Sequence, residues 1–383
     1  MSVDKRLILF SYDFPPSNGG IARLCLEIAN GMNIYYNSVT VLTRKQEGES
    51  FPYNLKEVEI VALPTKRLVC ELKAIHFLRK LKNKEQYDIL CGTWHPESTL
   101  ALISGFKNVF VLGHGTEFLS ANSFFRKKIW LGYYANFILK KSKLVIANSN
   151  YTKGLIQSIS TKSKNTALPL AVNHEFFKPD GSKKLESKKL KICIVSRIEQ
   201  FKGHDFILNV IAQLPIEYRN VIEFNIAGTG VYANELVQLA KQLGIEDQVN
   251  FYGFVNDLDL PNFYTKNDLF ILCSRENPDT ISVEGFGLVF LEAQACGLAV
   301  IGTDTGGISD AIDHENGGWL IHQDNAEELR NLLISIIMDR TIITTMGTRA
   351  RNRVLAGYTW EIYCSKLFEL INPVASVNPD SIV

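Results

Sequence analysis

Glu284-Gly285-Phe286-Gly287-Leu288-Val289-Phe290-Leu291-Glu292 sets the frame for the rest of this chain. Two carboxylates stand eight residues apart, with a Gly-x-Gly turn just after the first and an apolar run between them. Gly285 and Gly287 let the backbone turn tightly and approach a ligand with no side chain in the way. Leu288 to Cys296 reads as a helix, stopped by Gly297. A helix beginning near Gly287 aims its unpaired N–H groups and positive dipole end beside Glu284. Glu292 then follows about one and a half turns in, so the two acids can meet different parts of one elongated ligand. Such an arrangement suits an anionic, hydroxyl-rich molecule. The plain alternative is a glycine turn that opens a helix flanked by solvated acids.

Size and composition narrow the choices. A chain of 383 residues suggests two domains. Hydrophobic content of 46% and charged content of 21% are those of a globular protein. Seven cysteines are scattered without a C-x-x-C pair, which predicts reduced thiols in a cytoplasmic compartment and argues against a zinc site. Met1 to Lys5 lead straight into a strand, so no signal peptide is expected. No apolar run approaches the roughly 18 residues that span a bilayer.

Net charge is +1 but unevenly spread. Phe118 to His174 contains no Asp or Glu, while Arg126, Lys127, Lys128, Lys140, Lys141, Lys143, Lys153, Lys162 and Lys164 are all basic. Interleaved with Phe, Tyr and Trp, this block suits anionic lipid headgroups or a polyprenyl-phosphate, and so a peripheral membrane location. A basic solvated face is the alternative. No recognition motif accompanies the charge, so nucleic acid is not expected.

Two strand-turn-helix series run along the chain. Arg6 to Ser11 reads as a buried strand, and Tyr12 to Gly20 as a Pro- and Gly-rich loop before a helix over Ile21 to Met32. Gly19 and Gly20 there form a phosphate-approach turn without the dinucleotide Gly-x-Gly-x-x-Gly spacing. Tyr87 to Cys91 and Val109 to Leu112 are further strands. Gly113-His114-Gly115 follows the latter and predicts a histidine exposed at the sheet edge. His114 is thus a candidate to face a bound ligand. Lys178 to Lys189 is polar and lysine-rich, as in an inter-domain linker.

The series restarts at Leu190 to Ser196, followed by Arg197 and Lys202 before a helix that begins near Asp205. Two cations and a helix N-terminus there predict a diphosphate clamp. Phe224 to Gly230 is a strand with a Gly228-Thr229-Gly230 turn, and Val249 to Val255 a strand ending in Gly-Phe-Val.

Taken together, Glu-x7-Glu, Arg-x4-Lys-Gly, the Gly-x-Gly turn and the Asn173 to Pro179 stretch resemble the retaining GT-B glycosyltransferases of family 4. Those matches span most of the chain. The resemblance implies an α/β fold of two Rossmann-like domains facing a cleft. It gives 1–175 with a returning helix at about 360–383, and 176–359 for nucleotide-sugar binding. It implies catalytic roles for His114, Arg197, Lys202 and Glu284, with His114 bonding a sugar hydroxyl or helping hold the acceptor and its departing proton. Gly19, Gly20, Gly228, Gly230, Phe254, Val255, Phe286, Gly287, Leu288 and Glu292 would contact the donor, Glu292 through ribose hydroxyls. The cations would replace a bound metal, so no cofactor is expected beyond a UDP- or GDP-sugar substrate. The acceptor would be a saccharide or lipid-linked saccharide of cell-surface polysaccharide or glycolipid assembly. A glycosidase-like double displacement needs a carboxylate behind the anomeric carbon, and no residue is assigned there. A sugar-nucleotide epimerase and a non-catalytic sugar-nucleotide-binding protein are the alternative classes.

Overall fold

The computed structural model describes residues 3–17, 19–44, 55, 57–180, 188–277 and 279–373. Two compact units divide the chain. The first comprises 1–114, 123–168 and 360–383, and the second 115–122 and 169–359. The sequence suggests a boundary at 175/176, whereas the units separate at 168/169. Most of the predicted linker, 181–187, and the last residues of the returning segment, 374–383, lie outside the described residues.

The first unit is built on a seven-stranded parallel sheet in the order β3-β2-β1-β4-β5-β6-β7. Its strands are β1 Val3–Phe10, β2 Tyr36–Arg44, β3 Val58–Leu63, β4 Tyr87–Cys91, β5 Val109–Gly113, β6 Leu144–Ala147 and β7 Asn165–Ala167. Every residue of β4 and β5 is buried. Strands covered on both faces need apolar side chains in both directions, which explains the unbroken apolar run of β5, while the one charged residue of β4, Asp88, is buried against Lys5.

A helix over Arg67–Lys80 follows β3. Another was not anticipated. The basic block winds into a helix over Arg126–Ala135 that continues through Asn136–Lys141.

The final helix, Trp360–Ile371, belongs to the first unit. It buries Trp360, Tyr363, Cys364, Leu367, Phe368 and Ile371, the i, i+3, i+4 spacing of one apolar stripe. That stripe lies on the helix Gly20–Met32, so closely that a Cβ on Gly31 would stand 2.4 Å from Cys364 Sγ. Phe368 stacks on Tyr35 with ring centroids 4.7 Å apart. Beyond the helix, Asn372 Nδ2 donates to the Tyr36 hydroxyl at 2.9 Å, and Lys5 Nζ bridges Asn372 and the buried Asp88.

The second unit holds a six-stranded parallel sheet ordered β10-β9-β8-β11-β12-β13. These are β8 Leu190–Val195, β9 Ile222–Ala227, β10 Val249–Gly253, β11 Leu269–Leu272, β12 Ala299–Thr303 and β13 Gly318–Ile321. Phe270 of β11 meets Phe290 edge-on at 5.3 Å, which seats the Leu288–Ala295 helix directly on the sheet. All strands of a parallel sheet end on one edge, where open α/β folds bind their ligands. The sequence-selected residues follow strand ends in both units.

Candidate active site

Lys202 and Glu284 meet in the second unit. Lys202 closes a 3-10 turn after β8, its N–H bonded to Glu199 O at 3.0 Å. Gly203 then takes left-handed backbone (φ 75°), with any Cβ only 2.0 Å from Cys273 O. Glycine is therefore required by the approach of the β11 end. Glu284 lies after β11, its carbonyl held by the Gly307 N–H at 2.8 Å. Gly306 permits this, since a side chain there would strike the same carbonyl. The result is an ion pair, Lys202 Nζ to Glu284 Oε2 at 2.6 Å, with side chains 11% and 16% exposed.

Arg197 does not join this pair. Its side chain is 73% exposed and turns to the Glu199 carboxylate. The expected two-cation clamp is thus, in this structure, one cation paired with the sugar-side glutamate and one outlying cation paired locally. The cause is Glu199, two residues on and close enough to capture the guanidinium.

His204, first in the helix after Lys202, is fully buried. Ser196 Oγ donates to Arg197 O at 3.1 Å, so the His204 Nε2–H donates to Ser196 Oγ at 3.2 Å. Nδ1 is left buried without a hydrogen-bond partner. Burial first, and the nearby Lys202 ammonium second, pull its pKa down to about 4.

At the second acid, Gly287 caps the helix with left-handed backbone (φ 87°), and a Cβ there would lie 2.6 Å from the Phe290 ring. Phe286 is buried, and Leu288 begins the helix. Six consecutive residues, Phe290 to Ala295, are buried, so this helix is enclosed on all sides. Glu292 is accordingly only 3% exposed. Its Oε2 accepts from the Tyr264 hydroxyl at 2.9 Å. Tyr264, in the helix Leu260–Thr265, has no exposed surface. The sequence reading missed it, since an aromatic in an apolar stretch carries no mark beyond a core residue.

Gly228 and Gly230 are explained by packing. Cβ atoms on them would lie 1.8 Å from Ser196 O and 2.1 Å from Ile198 O, so the β9 turn presses directly on the chain leaving β8. The Gly228 N–H is also engaged, by Gly253 O at 2.7 Å. Phe254 projects into solvent, with Val255 half-buried.

The first unit corrects one expectation. His114 is half-buried, and its Nε2 donates to Gly92 O at 2.7 Å. The expected exposed histidine instead has this nitrogen committed to the end of β4, which sits beside β5 in the sheet. Gly19 and Gly20 open the helix Gly20–Met32, and Cβ atoms on them would meet nothing within 4 Å, so their backbone faces open space.

The basic helix Arg126–Lys141 turns Leu131, Ala135, Ile138 and Leu139 inward. Phe125, Ile129, Tyr133 and Phe137, four residues apart, are exposed on its outer side together with Phe124. Half-buried Trp130 and Tyr134 pack against Trp94 and His95. Burial, then Arg67, lowers the His95 pKa, which sets the start of the helix Arg67–Lys80 close by. That helix exposes Leu68 and Leu72.

All seven cysteines are buried thiols. Among the described residues, no helix is long and apolar enough to cross a membrane, and no cluster of three metal-ligating side chains occurs.

Comparison with known proteins accords with this geometry. The family described as Glycosyltransferase Family 4 matches residues 18–176, and Glycosyl transferases group 1 matches 177–353. A GDP-mannose-dependent alpha-(1-6)-phosphatidylinositol monomannoside mannosyltransferase of Mycobacterium tuberculosis is 25% identical, across 96% of this chain and 98% of its own. A GDP-mannose-dependent monoacylated alpha-(1-6)-phosphatidylinositol monomannoside mannosyltransferase of Corynebacterium glutamicum is 24% identical, across 97% and 99%. In crystal form, Anabaena Alr3699/HepE in complex with UDP superposes with a TM-score of 0.78 at 20% identity, across 97% of this chain and 100% of its own. Two parallel Rossmann-like sheets give the chain the GT-B fold. The chain belongs to glycosyltransferase family 4.

Proposed function

We propose that the protein is a retaining hexosyltransferase. It would transfer a sugar from a UDP- or GDP-sugar to a saccharide or lipid-linked saccharide, in cell-surface polysaccharide or glycolipid assembly. The observation that carries this reading is the Lys202–Glu284 pair beside the Leu288 helix start. An incoming diphosphate competes with Glu284 for the Lys202 ammonium and leaves the carboxylate to receive sugar hydroxyls. Arg197, mobile enough on an exposed side chain to leave Glu199, adds the second positive charge. Together these cations offset the charge that builds on the leaving diphosphate, and the reaction proceeds without a resident metal. Phe286, Gly287 and Leu288 offer backbone N–H groups, and Glu292, oriented by Tyr264, receives the ribose hydroxyls.

Retention follows from front-face attack. The acceptor hydroxyl oxygen bonds to the anomeric carbon as the carbon–oxygen bond to the diphosphate breaks, and its proton passes to the departing phosphate oxygen. The GDP-mannose-dependent relatives and the UDP-bound neighbour support both donor bases. The phosphatidylinositol mannoside acceptors of the relatives support a lipid-linked acceptor. So does the outward row of Phe125, Ile129, Tyr133 and Phe137 flanked by lysines, which suits the cytoplasmic face of an anionic membrane.

Thermal-shift titration with UDP, GDP and their sugars tests the donor site. A ligand at about 100 times its Kd should add roughly 2.7 kcal/mol. A base-selective shift that Lys202→Ala abolishes supports the reading. Turnover of a donor to an epimer without transfer would favour the epimerase class, and binding without turnover a non-catalytic protein.

A further inference from the structure

Glu97 has no part in the site described above, yet it is 3% exposed at the ligand edge of the first sheet. Its Oε1 accepts the Tyr12 N–H at 3.1 Å. This ties the end of β4 to the loop that leads from β1 to Gly19 and Gly20. The two strand ends are already in close approach, because a Cβ on Gly92 would lie 2.3 Å from Ser11 Oγ. Gly92 O also receives His114 Nε2, and His114 O receives Asn148 Nδ2 at 3.1 Å. Hydrogen bonds therefore run beyond the strand ends of β1, β4, β5 and β6 in sequence. Glu97 adds a side-chain link to β1, beside the Gly92 N–H that donates to Phe10 O at 2.8 Å.

Proton counting bears on its charge state. Thr93 Oγ1 stands 2.5 Å from Glu97 Oε2 and 2.8 Å from His95 O. A hydroxyl carries one proton, and a carbonyl only accepts. If Thr93 donates to His95 O, the contact with Oε2 needs a proton from Glu97. An ionised Glu97 would have to share the single Thr93 proton between Oε2 and His95 O, whereas a neutral Glu97 lets both contacts carry a full hydrogen bond.

We propose that Glu97 is a positioning residue held as a neutral carboxylic acid. It donates from Oε2 to Thr93 and accepts the Tyr12 N–H at Oε1, so clasping the Ser11–Gly20 loop to the end of β4. The inference on activity rests on the donor-binding role assigned above to Gly19 and Gly20, but the protonation state does not.

The surroundings agree. The titratable groups facing Glu97 are Tyr12 and Asp13 on the β1 loop, Cys25 on the first helix and Cys91 at the end of β4. Each is neutral or negative. Arg44 stacks on the Tyr12 ring at 3.9 Å, so the nearest guanidinium is spent on that phenol's face. Burial raises the Glu97 pKa above the ordinary carboxylate range, and Asp13 adds to it, against the bonds from Thr93 and Tyr12. Loss of the proton at alkaline pH would make Thr93 give up His95 O in order to donate to Oε2, and so shift the turn that carries Glu97 and the loop it holds.

The test compares Glu97→Gln with wild type. A glutamine keeps both bonds, donating its amide N–H to Thr93 and accepting from Tyr12. Difference infrared spectra of wild type against Glu97→Gln at pH 7 should contain the carbonyl stretch of a protonated carboxylic acid, lost on alkaline titration. Carboxylate bands in its place would overturn the proposal. In transfer assays, Glu97→Gln should keep the donor KM of wild type while removing its alkaline rise, and Glu97→Ala should raise that KM about tenfold or more through a misplaced loop. A Glu97→Gln defect as deep as that of Glu97→Ala would also refute it. Should no nucleotide sugar be turned over, the transferase reading falls while the infrared result still decides the charge state of Glu97.

Discussion

Lys202 Nζ and Glu284 Oε2 lie 2.6 Å apart, although 82 residues separate them in the chain. One follows β8 and the other β11, neighbours in the sheet, so strand order alone brings a cation and a carboxylate to the same edge. Each satisfies the other. A diphosphate sugar carries both a negative group for Lys202 and hydroxyls for Glu284.

Lys202→Ala and Glu284→Ala should each lower turnover about a hundredfold or more, as for a lost transition-state contact. Each should also cost about 1–3 kcal/mol of stability, since the partner charge is left in a mostly buried place. The double variant should lose less stability than the sum of the two, which denaturant titration of all four proteins measures. Strict additivity would mean the pair is not coupled.

Tyr264→Phe removes the hydroxyl bonded to Glu292 Oε2 and keeps the ring. Stability should fall by about 1–2 kcal/mol, the cost of an unmet bond to a buried group. Donor KM should rise more than kcat falls, because the orientation of Glu292 is what changes. An unaltered donor KM would separate Glu292 from nucleotide binding.

The buried neutral His204 makes stability depend on acid. Its folded pKa, about 4, lies below the ordinary value of 6.5, so the unfolded chain takes up this proton first. The contribution is complete above pH 6.5 and drains away as pH falls towards 4. Its size is roughly 3 kcal/mol. Chemical denaturation between pH 7 and pH 4.5 should trace this loss, and His204→Gln should flatten that part of the curve. Parallel profiles for the two proteins would count against His204 as the source.

On the outer side of the basic helix, Tyr133→Ser with Phe137→Ser should weaken flotation on anionic vesicles, and Lys127→Glu with Lys128→Glu should do so more strongly at low salt. These side chains are exposed, so the melting temperature should stay within a degree or two of wild type. Vesicle binding that is equal in all variants, or absent at low salt in wild type, would remove the membrane from the account.

Much of this arrangement is legible in the sequence because its causes are local. Strands buried on both faces, such as Val109–Gly113, announce themselves as apolar runs. Gly287 and Gly203 mark positions where no side chain fits. What escaped depends on distant partners. Nothing near His114 tells of Gly92 O, and nothing near Glu292 tells of Tyr264, twenty-eight residues away in another helix. Arg197 was read with Lys202 on spacing, but Glu199 was closer. The Arg126–Lys141 helix hid because its apolar residues lie on both sides, some on the unit and some towards solvent. A single amphipathic stripe was therefore not there to be read.

The first unit takes its last helix from the far end of the chain, and this orders events during synthesis. Residues 169–359 can close on themselves as soon as they leave the ribosome. The Gly20–Met32 helix, made long before, must wait with its Cys364-facing side uncovered. At about 5–20 residues per second, the roughly 190 residues between the two parts of this unit take about 10–40 s to make. The earlier-made domain is thus the later-finished one. A premature stop near Trp360 would leave the finished half intact and strand the half that was started first.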